Sequence, residues 1–87
     1  MVSRPPTLKK LIKGIYYGYA MYSVEVSLAD TITLPQFTAL DNLKFAALID
    51  MADGTEIACT FAALNIITVS GASTNDKCAL FVLGRIA

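Results

Sequence analysis

The chain has 87 residues, room for a single domain, and 55% of them are hydrophobic while only 16% are charged. A globule of this size has too little interior for so many apolar side chains, so a membrane or a neighbouring subunit must cover the excess. Histidine is absent, which excludes Ser-His-Asp and Cys-His catalysis and every metal site that uses imidazole. The net charge is zero, and small apolar proteins near neutrality tend to associate.

Residues 1–14 have the composition of a basic N-terminal arm. Pro5 and Pro6 favour an extended conformation there. A short amphipathic helical turn that ends at Gly14 would carry Leu8, Leu11 and Ile12. We expect the basic side chains of the arm to contact a neighbouring molecule; they are Arg4, Lys9, Lys10 and Lys13. The two interpretations left open are a disordered tail and a strap that orders on an acidic or apolar partner.

Residues 15–28 carry a strong strand pattern. One face of this strand would hold Tyr16, Ala20, Tyr22, Val24, Val26 and Leu28. The other face changes along the strand from apolar to polar, in the order Ile15, Tyr17, Tyr19, Met21, Ser23, Glu25 and Ser27. The second half therefore predicts a strand with one buried face, whereas the first half is apolar on both faces.

The middle of the chain alternates short strand signals with turn signals. Residues 31–34 predict a short strand that Pro35 ends, followed by a connecting segment, and residues 43–51 predict the next strand. Asp53 and Gly54 then predict a hairpin turn, because this pair readily takes the positive φ angles that tight turns need.

After the hairpin, three further strand signals complete the chain. In the first, residues 55–62, the side chains expected to face inward are Ile57, Cys59 and Phe61. A second run covers residues 64–70, and a polar turn over residues 71–76 leads to the closing strand. The stretch 57–75 has no charge, but polar residues interrupt it, so we expect no transmembrane helix there.

These signals predict an all-β fold, a small antiparallel β-sandwich or barrel of five to six strands with an extended basic N-terminal arm. The connections are too short for crossover helices, which disfavours a parallel α/β fold. We expect residues 15–87 to form a single β domain that follows the arm of residues 1–14.

The closing strand, like the first half of residues 15–28, is apolar on both faces. Cys78, Leu80, Val82 and Ile86 would lie on one face, and Ala79, Phe81, Leu83 and Ala87 on the other. A doubly apolar strand lies between two layers of one domain or against another subunit. Tyrosine is favoured at protein interfaces. The predicted interface residues are Tyr16, Tyr17, Tyr19, Met21, Phe81 and Leu83.

The sequence has no motif that identifies a reaction. Asp50, Asp53 and Glu56 cluster around the predicted hairpin, but their spacing matches no calcium loop, so we interpret them as turn residues. Cys59 and Cys78 are interpreted as small apolar residues, with a single disulfide bridge left open. We therefore expect no enzymatic activity, no cofactor, no metal and no small-molecule substrate.

Nucleic-acid binding is an alternative function. Tyrosines beside a basic segment could stack on bases while lysines hold phosphates. The remainder of the chain contains more acidic than basic residues, which disfavours this function. A non-enzymatic β binding module for nucleic acid or another ligand is kept as the alternative to a structural role.

The segment LKFAALIDMADGTEIACTFAALNIITVSGASTNDKCALFVLGRIA, residues 43–87, follows a basic segment and a tyrosine-rich strand. In its order of strands and turns it resembles the small β-rich cement or decoration proteins of tailed bacteriophages. The resemblance implies a structural virion protein that self-associates as a trimer or dimer, binds the major capsid protein at the capsid surface and stabilises the shell. It also implies synthesis in the host cytoplasm and no membrane partner. No diagnostic motif carries it, so it assigns no site residue.

Overall fold

The computed structural model describes residues 2–37, 43–63 and 65–85. Within them the chain forms β-strands and no helix. In chain order the strands are β1 (Thr7–Lys13), β2 (Tyr17–Val26), β3 (Thr31–Thr33), β4 (Leu43–Asp50), β5 (Glu56–Ile57), β6 (Cys59–Ala63), β7 (Ile66–Val69) and β8 (Asp76–Arg85). The predicted all-β class is confirmed. The described residues contain more strands than predicted because β1 was not expected and Ala58 separates β5 from β6.

The strands form two antiparallel sheets. The larger has the order β1-β2-β8-β4-β5 and the smaller the order β3-β7-β6. At the centre of the larger sheet, β2 and β8 pair along their whole length, from Tyr17 opposite Arg85 to Val26 opposite Asp76. Hairpins connect β1 to β2, β4 to β5 and β6 to β7, whereas the pairs β2-β8, β4-β8 and β3-β7 join strands that are distant in sequence.

The two sheets share one hydrophobic core, in a sandwich-like arrangement. Alternate residues of the central strands point into it, because side chains along a strand alternate between its faces. The largest fully buried side chains from both sheets are Tyr22, Ile32, Leu48, Ile67 and Leu80, together with Phe37 from the loop after β3. Ile57 is buried and Cys59 packs against the core, as predicted. Phe61 was predicted to face inward, and its side chain lies outside the described part of the structure.

The structure does not confirm an extended basic arm. Residues 7–13 form β1, which pairs with β2 and places Leu11 opposite Ala20. The predicted helical turn over Leu8, Leu11 and Ile12 is therefore wrong. Those three residues are also compatible with a strand, because a bulge between Leu8 and Lys10 changes which side chains of β1 lie on each face.

Residues 2–4 join the other sheet. The Arg4 backbone N–H donates to the Thr31 carbonyl at 2.8 Å, and the Thr31 N–H donates to the Val2 carbonyl at 2.9 Å. Pro5 and Pro6 lie between these contacts and β1, where the chain passes from the small sheet to the large one. Proline fits here because it donates no backbone hydrogen bond. The N-terminal segment thus connects the edge strand β3 of the smaller sheet to one edge of the larger sheet.

The structure confirms one prediction about the turns and contradicts another. The Asp53-Gly54 hairpin is confirmed: Asp50 N–H donates to the Thr55 carbonyl at 2.8 Å, and Gly54 has φ 76°. The expectation that Leu28 shares the buried face of β2 is wrong. β2 ends at Val26, and Leu28 is exposed in the following turn. The connecting segment predicted after Pro35 lies partly outside the described residues, as do Ile86 and Ala87.

Candidate functional site

The larger sheet has one face on the core and a second face that carries apolar side chains. On β8, Cys78, Leu80 and Val82 are buried in the core. Ala79, Phe81 and Leu83 point to the other side, and none of them is fully buried. The second apolar face of the closing strand is therefore not enclosed by the described residues of this chain.

Strand register brings apolar residues of four strands together on this side. Residues directly opposite each other in an antiparallel pair point to the same face. Tyr19 lies opposite both Ile12 and Leu83, and Leu83 also lies opposite Phe45. We call the resulting surface the outer face, formed by Ile12, Tyr17, Tyr19, Met21, Phe45, Ala47, Ile49, Ala79, Phe81 and Leu83.

The outer face is exposed where its large side chains meet. Phe45 is 53% exposed, Leu83 40% and Tyr19 38%. The Tyr19 and Phe81 rings lie against each other with centroids 6.4 Å apart and an interplanar angle of 30°. Four strands about 4.8 Å apart and seven to ten residues long give this face roughly 400–600 Å² of planar area. Apolar patches of that size on a monomer are commonly interaction sites.

Charged residues lie at the ends and edge of the outer face. Glu25 lies opposite Lys77 at one end, and Tyr17 lies opposite Arg85 at the other. Lys10 lies on β1, opposite Met21. An apolar centre with a polar rim is the usual composition of a protein–protein interface.

The loop between β1 and β2 extends beyond the end of the outer face. Its two exposed side chains, which we call the hairpin tip, are Ile15, 92% exposed, and Tyr16, 66% exposed. Gly14 N–H donates to the Tyr17 carbonyl at 2.7 Å, and a Cβ on Gly14 would lie 2.8 Å from that oxygen. Gly14 is thus needed for this close turn, which turns Ile15 and Tyr16 outward.

Five of the six predicted interface residues lie together on the outer face: Tyr17, Tyr19, Met21, Phe81 and Leu83. The sixth, Tyr16, lies at the hairpin tip, not on the inner face that its alternation with Tyr22 suggested. Sequence reasoning did not select Phe45 and Ile12. The alternation of Phe45 with Ala47 and Ile49 was a usable signal for the first, whereas the position of Ile12 depends on the bulge in β1.

The four basic residues predicted to contact a neighbouring molecule lie in two different parts of the structure. Lys9, Lys10 and Lys13 are exposed on β1. Arg4 instead binds within the chain: its Nε donates to Asp30 Oδ2 at 2.6 Å, and its Nη2 donates to Asn75 Oδ1 at 3.0 Å. Arg4 is thus bound within the chain, and its contact with a neighbouring molecule stays a prediction.

Asp30 is a buried carboxylate, 2% exposed. Burial by itself would raise its pKa, but the hydrogen bonds from Arg4 and from the Ser27 N–H, and the charge of Arg4, lower the pKa below the ordinary value. The Val2 N–H also donates to it, at 3.1 Å. These contacts hold the N-terminal segment and the turn after β2 together, because every partner of Asp30 belongs to one of these two segments.

The carboxylates around the 50–55 hairpin, which the sequence analysis considered as possible ligands, also make hydrogen bonds that stabilise the fold. Asp50 Oδ1 accepts from the Ala52 N–H at 2.9 Å, and Asp53 Oδ1 accepts from the Thr55 hydroxyl at 2.7 Å, so both carboxylates stabilise the hairpin. In the described part of the chain, no three His, Cys, Asp or Glu side chains are placed to hold a metal ion.

Both cysteines are free thiols. Burial, with smaller effects from Asp50 and Asp76, raises the pKa of Cys78 to about 11. Burial and the charge of Glu56 also raise the pKa of Cys59. A thiol with a raised pKa is a poor nucleophile at neutral pH.

Two of the cavities formed by the described residues lie away from the outer face. One, of about 280 Å³, lies between the N-terminal segment and the end of β3, where the Tyr22 hydroxyl donates to Gln36 Oε1 at 2.8 Å. The other, of about 410 Å³, lies between the 50–55 hairpin and the start of β8. Arg4 lines the first cavity, and Asp50, Asp76 and Lys77 line the second.

No protein-family model, curated protein or solved structure matches this chain. In the described residues, no helix is long and apolar enough to cross a bilayer. The candidate site is therefore defined by its geometry alone: an exposed, mostly apolar sheet face of four strands with charges at its ends.

Proposed function

We propose that this chain is a non-enzymatic structural protein that self-associates through the outer face and, as its resemblance to phage cement proteins implies, stabilises a virus shell. The observation that carries the proposal is the row of exposed apolar side chains, Ile12, Tyr19, Leu83 and Phe45, across four adjacent strands. Covering this row removes apolar surface from water, which is the main driving force of association.

A second copy of the chain fits the outer face because that face is complementary to itself. Consider a two-fold axis that runs above the outer face, parallel to β2 and β8 and midway between them. This axis would place β2 of one copy over β8 of the other copy, and β8 over β2. Glu25 would then lie over Lys77, and Tyr17 over Arg85, because these residues are opposite each other in one sheet. The same operation places Ile12 over Phe45. Such an isologous contact forms a closed dimer.

The shell-binding part of the proposal rests on the resemblance and on multivalency. A dimer presents each of its remaining surfaces twice, so weak contacts to a symmetric shell reinforce one another. Mass spectrometry of purified virus particles from the source culture would check this part, with the chain expected as a component present in many copies. Its absence from the particles would contradict a virion role.

Self-association through the outer face is tested by the mass of the full chain in about 500 mM salt, which screens contacts between exposed charges, measured by light scattering at several concentrations. We expect a mass near twice 9.3 kDa. Leu83→Asp is expected to give a monomer, because each dimer would bury two charges against Tyr19 of the partner copy. Thr60→Asp, the matched control, introduces the same charge at an exposed position of the smaller sheet and should leave the mass unchanged. A monomeric wild-type chain would contradict the proposal.

Nucleic-acid binding is the second candidate, favoured by one observation. Lys9, Lys10 and Lys13 lie on the edge strand β1, next to the exposed tyrosines of β2. Fluorescence anisotropy with a labelled single-stranded oligonucleotide would detect it. Affinity that falls steeply with salt and with Lys10→Glu would support this function, whereas no change in anisotropy at low salt would exclude it.

A further inference from the structure

The acidic residues are concentrated at one end of the larger sheet, where Lys77 also lies. The described acidic side chains lie towards the end where Val26 is opposite Asp76. We call this region the acidic end and define it by Asp50, Asp53, Glu56 and Asp76. The opposite end carries the hairpin tip, with Lys13 and Arg85 beside it. The ten residues of β2 separate the two ends by roughly 30 Å.

The hairpin tip combines apolar and positively charged groups. Ile15 and Tyr16 extend from the loop, and Lys13 and Arg85 lie on the strands that flank it. Ile15 is 92% exposed, more than any other large apolar side chain described. Ile15 lies outside the core, and together with Tyr16 it gives the hairpin tip an exposed apolar surface beside two cations.

The acidic end offers a complementary cavity. The cavity of about 410 Å³ is lined by Asp50, Met51, Ala52, Asn75, Asp76 and Lys77. Met51 supplies an exposed apolar side chain, and its N–H donates to the Lys77 carbonyl at 3.0 Å. Ligand sites measure roughly 300–1,000 Å³, so this cavity has room for an isoleucine side chain and part of a tyrosine ring.

We propose that the hairpin tip of one copy docks into the cavity at the acidic end of another copy, in a head-to-tail contact. Ile15 would pack on Met51, while Lys13 and Arg85 would approach Asp50 and Asp76. This contact rests on the proposed self-association and adds a second, heterologous surface to it. A heterologous contact forms rings or open chains; combined with the two-fold contact of the outer face, it would extend the dimer into a larger assembly.

The test is sedimentation velocity of the full chain at about 50 mM and about 500 mM salt, since screening weakens contacts between exposed charges. We expect species larger than the dimer at low salt and their loss at high salt. Ile15→Asp should remove them and leave the dimer, since Ile15 is outside the core. Lys13→Glu and Asp76→Lys should each weaken the larger species by about tenfold or more, because like charges would then face each other across the contact. The double variant should restore the larger species in part.

Lys9→Glu is the matched control, because it makes the same charge change four residues away on β1. If it weakens the larger species as much as Lys13→Glu, or if the double variant is as weak as the single ones, the specific contact is overturned. Co-sedimentation with anionic phosphatidylserine vesicles that Ile15→Asp abolishes, without larger species in solution, would overturn it too, because the tip would then bind lipid.

Leu83→Asp separates this inference from the proposed function. With the outer face disabled, head-to-tail contacts should still give salt-sensitive species larger than the monomer, and Ile15→Asp in the same chain should abolish them. If Leu83→Asp leaves the wild-type dimer intact, the proposed outer-face contact fails while the head-to-tail contact can still be observed. If the Leu83→Asp chain is monomeric at both salt concentrations, the head-to-tail contact fails and the outer-face contact stands.

Discussion

Arg4 Nε donates a hydrogen bond of 2.6 Å to Oδ2 of Asp30, across 26 residues of sequence. The same oxygen accepts the Ser27 N–H at 2.9 Å. Arg4 also lies 3.6 Å from Glu25. One guanidinium therefore connects the N-terminal segment to the turn between β2 and β3, and it holds residues 2–4 against the smaller sheet.

Replacement of Arg4 should destabilise the fold because it leaves the buried Asp30 carboxylate without its cation. We expect Arg4→Met to lower the midpoint of urea unfolding clearly more than Lys9→Met, which removes the same kind of charge from an exposed strand position. Equal midpoints for the two variants would show that the ion pair adds nothing to stability.

The free energy of unfolding should fall in acid. The pKa of Asp30 is lower in the folded chain than in the unfolded chain, so the unfolded chain binds the proton more tightly. The stabilisation is present above the ordinary carboxyl pKa of about 3.9 and is lost as the pH falls through the lower folded value.

Urea unfolding between about pH 2 and pH 6 would measure this acid sensitivity. Asp30→Asn should flatten the profile below about pH 4, because the amide does not titrate. Some slope should persist, since hydrogen bonds from Thr55 also lower the pKa of Asp53. A profile for Asp30→Asn as steep as that of the wild type would contradict the assignment.

Gly71 is required where the chain passes close to another backbone. A Cβ at this position would lie 2.8 Å from the Ala58 nitrogen and 2.9 Å from Ile57 Cγ2. Gly71→Ala should therefore destabilise the chain by about 1–3 kcal/mol, through forced shifts of the backbone or core. Thermal unfolding followed by circular dichroism would measure the loss.

Gly54→Asn is the control for this substitution. Gly54 has φ +76°, and a Cβ added there would have no atom within 4 Å. Asparagine tolerates this backbone conformation better than most other residues. The unfolding temperature of Gly54→Asn should therefore fall less than that of Gly71→Ala. The reverse order would mean that the close approach at Gly71 relaxes without cost.

The two thiols should react slowly in the folded chain. Burial raises the pKa of both, and Cys78 reaches about 11, so the reactive thiolate is scarce near neutral pH. We expect a disulfide reagent at pH 8 to label the partly exposed Cys59 before Cys78, and both at once in denaturant. Fast labelling of Cys78 under native conditions would contradict the described burial.

Much of the all-β fold follows from the sequence because strand alternation is a local signal. Tyr22, Val24 and Val26 alternate with polar residues, and this pattern alone places them in the core. The Asp53-Gly54 turn is equally local. The sequence also selects five residues of the outer face, but they lie together only because β2 and β8 are adjacent in one sheet.

The position of the N-terminal segment depends on partners that are distant in sequence. Local composition showed prolines and lysines, which suit an arm, a tail or an edge strand. Pairing with β2 and the contact with Asp30 decide which of these three structures the segment forms. Neither contact produces a periodic pattern in residues 1–14 that could be recognised from the sequence. The sequence by itself determined which residues alternate and which turns are tight, because these depend on neighbours along the chain. Only the tertiary structure decided that Arg4 pairs with Asp30 and that Ile12 and Phe45 complete the outer face, because strand order and register arise from contacts between distant segments.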